Sequence, residues 1–264
     1  MTQLTYIYHD GFLLETPLCN IVFDFWRLPS GEEATEGEMP CFLQHLANPS
    51  LPLYILVSHF HKDHFNPVIF SWLDFFPHAH FIISKDTARH ARHHLRPDSM
   101  YKGHKVPETN YTVLRPGETY SDAHLTIRAF SSTDTGNSYA LTIGDLRVFH
   151  AGDLNAWMWK DESTEKEVME AIGAYEKILK EIAAEFPTFD IAMFPVDSRI
   201  GTDWWEGASR FVRAINVKRF IPMHFELADT PKQLQQRHRD ALDFLAYANH
   251  SRGEYLSPGR LLIP

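Results

Sequence analysis

Apolar residues open the chain in short, β-branched bursts: LTYIYHDGFLLET and then, beyond a turn at Pro17, NIVFDFW. Bursts of this length bounded by turn residues predict strands. LYILVS (53–58) is apolar without a break and of strand length, which predicts a strand buried on both faces. It ends abruptly in HFHKDHFNP. FIIS (81–84) predicts another short strand, and DTARHARHHL after it a helix. From 111 to 151 the pattern is strand and turn in alternation, YTVLRPGETY, AHLTIRAFSS and SYALTIGDLRVFHAG, with Pro-Gly and Gly-Asp as the turn signals. Residues 28–41 (LPSGEEATEGEMPC) show no period and predict a loop.

The period changes at 164–186. Thr164 with Glu167 forms a capping box, and Val168, Ile172, Tyr175, Ile178, Leu179 and Ile182 fall on one helical stripe. DIAMFPVD (190–197) predicts a strand, WWEGASRFVRAIN (204–216) a helix and KRFIPMHF (218–225) a further strand. Thr230 and Pro231 suit the cap and first turn of another helix, and GRLLIP is a short final strand. Strands come first as an antiparallel run and then alternate with helices, without linkers or repeats. The pattern predicts one α/β domain over residues 1–264, with helices outside two sheets.

Composition narrows the function. The chain has 264 residues and 25 Lys+Arg against 34 Asp+Glu, a net charge of −9. That acidity argues against nucleic acid as a partner, since such surfaces need basic stripes. No apolar run approaches the roughly 18 residues of a membrane span, so no membrane partner is expected. MTQLTYIY lacks the basic start and apolar stretch of a signal peptide. With only two cysteines, Cys19 and Cys41, the expectation is a reducing cytoplasm. A small-molecule substrate is the expected partner, with self-association left open.

The 16 histidines matter through their spacing. His59-x-His61-x-Asp63-His64 puts four ligand-type side chains into six residues, directly after the buried strand. A loop leaving the top of a sheet lets them converge. His59 and His61 suit one metal ion, and Asp63 and His64 can turn toward a second.

With this motif the chain resembles the metallo-β-lactamase-fold superfamily. The resemblance matches Asp24 in NIVFDFW to an early strand-end aspartate, Asp153 in RVFHAGD to the metal-bridging aspartate and His224 in FIPMHF to the last metal histidine. YHDGFLLE resembles the first hairpin of the L-ascorbate-6-phosphate lactonase-like branch. The resemblance implies a four-layer αβ/βα sandwich, with two divalent ions held by His59, His61, Asp63, His64, Asp153 and His224. Zn²⁺ is the first expectation for their identity. Asp24 would steady the motif loop from behind the ligands. One departure stands out: FSSTDTGNS (130–138) has no histidine where relatives carry one. Asp134 is the strong ligand in that stretch, with Thr133 as the other residue that fits the slot. A carboxylate there brings Mn²⁺ or Fe²⁺ into consideration beside Zn²⁺.

Other residues divide between structure and chemistry. His9 and Trp157 are candidates for lining the pocket, and Trp159, Trp204 and Trp205 for either core or pocket wall. His150 reads as structural, and His90, His93 and His94 as a solvated helix face. Two cations lower the pKa of water from 15.7 to about 7 and polarise a substrate oxygen, so hydrolysis needs no nucleophilic side chain. Asp63 would hold the proton of the metal-bound hydroxide and pass it to the leaving group. The expected activity is hydrolysis of a small, anionic ester, lactone or phosphodiester-type substrate. The alternative is a metal-binding or di-iron redox protein of the same fold without hydrolytic turnover.

Overall fold

Contacts close in sequence form at the least entropic cost, and the opening bursts make a hairpin. In the computed structural model, which describes residues 2–100, 102–247 and 260–263, β1 (Thr2–Tyr8) pairs antiparallel with β2 (Gly11–Glu15) through a turn at His9 and Asp10. β3 (Asn20–Phe23) returns antiparallel to β2. The antiparallel run stops there, earlier than the sequence pattern suggests. β4 (Leu53–Val57), β5 (His80–Ser84) and β6 (Tyr111–Leu114) join β3 in parallel. Their long connections allow the chain to cross back, and all five residues of β4 are buried, as parallel strands require.

Those connections carry short helices: α1 (Cys41–Gln44), α2 (Lys85–His90) and α3 (Arg92–Leu95). The segment expected as one helix, DTARHARHHL, is divided at Ala91. A 3-10 helix, Pro67–Asp74, not foreseen from the pattern, is capped by Asn66 and buries Val68, Ile69, Phe70 and Trp72. Trp72, Phe25 and Phe42 pack at ring distances of 5.0–5.9 Å, and Phe70 meets Phe81 at 5.2 Å. Truncating one of these buried rings to Ala would cost about 3–5 kcal/mol.

Two compact units divide the chain: one takes in residues up to Arg115 and a final strand, the other begins at Pro116. In the second, β7 (Thr119–Ser121), β8 (Thr126–Ser131), β9 (Asn137–Ile143) and β10 (Leu146–His150) form an antiparallel meander. α4 (Glu165–Glu185) starts at the Thr164–Glu167 capping box and buries Tyr175, Ile178, Leu179 and Ile182. β11 (Thr188–Pro195), α5 (Glu206–Ala214) and β12 (Asn216–Met223) then add two strands parallel to β10, followed by α6 (Pro231–Tyr247). Phe149, Phe189, Phe194 and Phe211 form an aromatic core with centroids 4.7–5.2 Å apart.

β13 (Arg260–Ile263) pairs antiparallel with β1, giving the first unit a seven-stranded sheet ordered β13-β1-β2-β3-β4-β5-β6. The second unit's six-stranded sheet runs β12-β11-β10-β9-β8-β7. Among the described residues no helix is long and apolar enough to cross a membrane, and Cys19 and Cys41 form no disulfide.

Candidate metal centre

In the first unit, the register of β3 on β4 sets Phe23 opposite Leu56. The residues just past the two strand ends, Asp24 and Ser58, are therefore neighbours. The Asp24 carboxylate is buried and accepts three hydrogen bonds: from Ser58 N (2.7 Å), Ser58 Oγ (2.5 Å) and His64 Nδ1 (2.8 Å). Ser58 has one hydroxyl proton and gives it to Asp24, so toward His59 Nδ1, 3.0 Å away, its oxygen accepts. His59 and His64 thus carry their protons on Nδ1, and each presents the Nε2 lone pair. His59 Nε2 lies 3.0 Å from His61 Nδ1, and the His59 and His64 rings are 4.0 Å apart. The loop is pinned by His64 N and Phe65 N donating to His61 O, and by Asn66 N donating to Phe25 O.

Asp63 sits on the same loop, partly exposed, its Oδ2 4.0 Å from His64 Nε2 and 3.6 Å from His9 Nε2. At the hairpin turn, which lies at this end of the sheet, Gly11 lets backbone approach backbone. A Cβ there would meet Tyr8 O at 3.0 Å and Asp24 O at 3.2 Å. His9 and Asp10 are fully buried, and His9 holds a left-handed φ of 57°.

In the second unit the ligand-type residues lie past the C-terminal ends of neighbouring parallel strands, where open α/β sheets bind ligands. Asp153 follows β10 and Gly152, which has φ 52°; Asp197 follows β11; His224 follows β12 with φ 68°. His224 Nδ1 lies 3.0 Å from Asp197 Oδ2 and its Nε2 3.3 Å from Asp153 Oδ1. Arg199 clasps the buried Asp197, its Nε donating at 2.8 and 2.9 Å. Burial alone would raise the Asp197 carboxyl, but hydrogen bonds from His224 and Arg199 outweigh it and hold the group well below the usual carboxylate range. An ionised Asp197 accepts from Nδ1–H of His224, so this ring too presents Nε2.

Trp157 donates from Nε1 to Asp153 O (2.8 Å), and its ring meets His224 edge-on at 5.4 Å. It stacks on Trp159 at 6.4 Å, whereas Trp204 and Trp205 pair with each other. Asp134 is exposed, with a carboxylate oxygen within 4.8 Å of one on Asp153. Thr133 instead braces backbone, donating to Asn155 O (2.6 Å) and accepting from Asn155 N (3.0 Å).

Other histidines have structural work. His150 is buried and accepts from Gly152 N (3.2 Å). His94 turns inward to His104 O (2.9 Å), and burial lowers its pKa. His93 is exposed, and His90 stacks on Phe60 at 5.1 Å. Sequence reasoning missed Asp10, Ser58, Asp197 and Arg199. Asp197, two residues past a strand of the same sheet as the two ligand candidates, carried the signal that would have exposed it.

A family model described as a beta-lactamase superfamily domain matches residues 39–225. The fold is similar to Igni18, a metallo hydrolase from Ignicoccus hospitalis KIN4/I, with TM-score 0.64 and 15% identity over 100% of this chain and 99% of that one. It is also similar to CmlA, a diiron beta-hydroxylase from Streptomyces venezuelae, with TM-score 0.61 and 11% identity over 99% of this chain and 54% of that one. The metallo-beta-lactamase fold protein YhfI from Bacillus subtilis gives TM-score 0.52 and 12% identity over 91% and 93%. No curated protein matches the chain.

Proposed function

The chain belongs to the beta-lactamase superfamily, and on that premise we propose that it is a metal-dependent hydrolase acting on a small, anionic ester, lactone or phosphodiester-type substrate. The supporting observation is the shared state of three imidazoles. His59, His64 and His224 each have Nδ1 on a hydrogen-bond acceptor, so each offers Nε2 as a ready ligand. We assign His59, His61, Asp63, His64, Asp134, Asp153 and His224 as ligands of two divalent ions, and read the chain as one domain of this family. Imidazoles and carboxylates without thiolate suit Zn²⁺ first, with Mn²⁺ or Fe²⁺ favoured as the share of carboxylates rises.

When bound, such ions acidify water and polarise the bond to be cleaved. Asp24 holds the ring of His64 and Asp197 that of His224, so neither of these two has to reorient on binding. Asp63, more exposed than the histidine beside it, is placed to take a proton from the attacking water and return it to the leaving group. Trp157 forms a wall against His224 that a substrate body can lie on. The anionic substrate follows the resemblance to the lactonase-like branch.

The test is metal analysis joined to a hydrolysis screen over esters, lactones and phosphodiesters. The expected result is about two ions per chain, with activity lost to chelation and regained on metal return. Protein that takes up no Zn²⁺, Mn²⁺ or Fe²⁺ would overturn the reading. A second reading, a di-iron redox protein, draws on the carboxylates Asp63, Asp134 and Asp153. An optical iron signature without hydrolysis would select it.

A further inference from the structure

We propose that Thr133 is a positioning residue: its hydroxyl staples the β8–β9 turn to the loop after β10, and so sets the carboxylates of Asp134 and Asp153 at ligand spacing within the second unit. The role rests on the metal-dependent reading above, in which both carboxylates are ligands.

The strand ladder alone leaves the turn undirected. β8 and β9 close at the pair Ser131 and Asn137, so residues 132–136 lie beyond the last rung. A ladder fixes the two ends of such a turn and leaves its tip to side-chain bonds. β9 also pairs antiparallel with β10, with Tyr139 opposite His150. The turn and the residues after β10 therefore leave the sheet at the same edge.

Three contacts at that edge belong to one atom. Thr133 Oγ1 lies 2.6 Å from Asn155 O, 3.0 Å from Asn155 N and 3.3 Å from Asp153 O. A hydroxyl has one proton and two lone pairs. The proton goes to Asn155 O, the shortest contact, and the Asn155 amide donates in return. Thr133 thus grips both backbone groups of one residue. Asp134 is the next residue on one side of the staple, and Asp153 stands two residues before Asn155 on the other. One oxygen of each carboxylate lies within 4.8 Å of the other.

The residue that Thr133 grips is itself fixed. Asn155 is buried, and its Oδ1 accepts from Ala156 N (2.8 Å). It fills the space left by Gly207 at the start of α5, where a Cβ would strike Asn155 Oδ1. The Tyr175 hydroxyl, from α4, donates to Gly207 O (2.8 Å). Asp134 rides on an exposed turn and carries the same charge as Asp153, and like charges at this distance repel. The staple holds the turn against that repulsion, so the spacing exists before an ion binds and little ordering is left for binding to impose.

The experiment uses full-length protein and Zn²⁺ in chelator competition. Thr133→Val, Thr133→Ser, Asp134→Ala and the combined Thr133→Val, Asp134→Ala variant are compared with wild type, and folding is checked by circular dichroism. Thr133→Val removes the hydroxyl and should weaken one ion by roughly 10–100-fold, as loss of an outer-sphere partner does. In the Asp134→Ala background the same change should cost no more than about twofold, the ordinary error of additivity, because no Asp134 is left to position. Thr133→Ser keeps the hydroxyl and should stay within about twofold of wild type. Unchanged affinity in Thr133→Val, an equal fall in both backgrounds, or a serine variant as weak as the valine one would overturn the proposal. If the valine variants fail to fold, a crystal structure of Zn²⁺-loaded wild type decides the matter. It should show an oxygen from each of Asp134 and Asp153 on one ion, with Thr133 still bonded to Asn155. Two ions bound with Asp134 outside the coordination sphere would overturn this proposal and leave the hydrolase reading standing. Wild type without any ion would overturn both.

Discussion

Each unit uses a buried aspartate to aim histidine, but the two aspartates are held differently. Asp24 takes its hydrogen bonds from a backbone amide, a hydroxyl and an imidazole, all inside the fold. Asp197 takes its bonds from one imidazole and from Arg199, whose side chain is 28% exposed. The first arrangement is rigid because its donors have nowhere else to go. The second is an ion pair with an outlet to water. Removing the carboxylate should therefore cost stability in the first unit and mainly ligand geometry in the second.

The sharpest way to break this contrast is Asp24→Ala. It leaves the amide of Ser58 and Nδ1–H of His64 buried without their acceptor, at about 1–3 kcal/mol each. Thermal unfolding should register about 2–6 kcal/mol, and chelator competition a fall in metal affinity of at least 10–100-fold. Asp197→Ala comes next. Arg199 can turn outward, so about 1–2 kcal/mol of stability should go, with a loss of about 10–100-fold in affinity confined to the ion we assign to His224. The contrast fails if Asp197→Ala proves the more destabilising.

The smallest effect concerns a histidine between two acids at the surface of the first unit. His104 lies 2.9 Å from Asp74 and 2.7 Å from Glu36, and these hydrogen bonds raise its pKa above the ordinary 6.5. A raised folded pKa contributes stability that is complete below the unfolded value and lost as pH climbs through the folded one. The difference in melting temperature between wild type and His104→Gln should thus be largest in mild acid and fade at alkaline pH. High salt should shrink it, as for any surface pair. A difference independent of pH would assign His104 a packing role.

The same contrast explains what could be read from sequence. The ligand candidates His59, His61, Asp63 and His64 were legible because one loop after one apolar strand carries them all. The α4 stripe and its capping box were equally local. Asp197 and Arg199 were not legible, because their partner His224 lies a helix and a strand further on. Asp10 looked like an ordinary turn residue, and Ser58 gains its meaning only where β3 and β4 run parallel. The parallel set β3–β6 was missed for a related reason: pairing direction depends on where the connections cross, which local periodicity does not encode. Even the Ala91 break, which sends His94 inward, left no mark on the periodicity.

The pairing of β13 with β1 has a consequence for biosynthesis. Arg260 follows Arg115 by 145 residues, and the whole second unit is encoded between them. A ribosome adding roughly 5–20 residues per second would take about 7–30 s over that stretch. Throughout it the nascent first sheet has β1 as an unpaired rim, the kind of surface that invites neighbouring chains to add strands. Thr2, Gln3, Leu4 and Thr5 pair with β13 in the finished register, and three of these four positions on the waiting rim are polar.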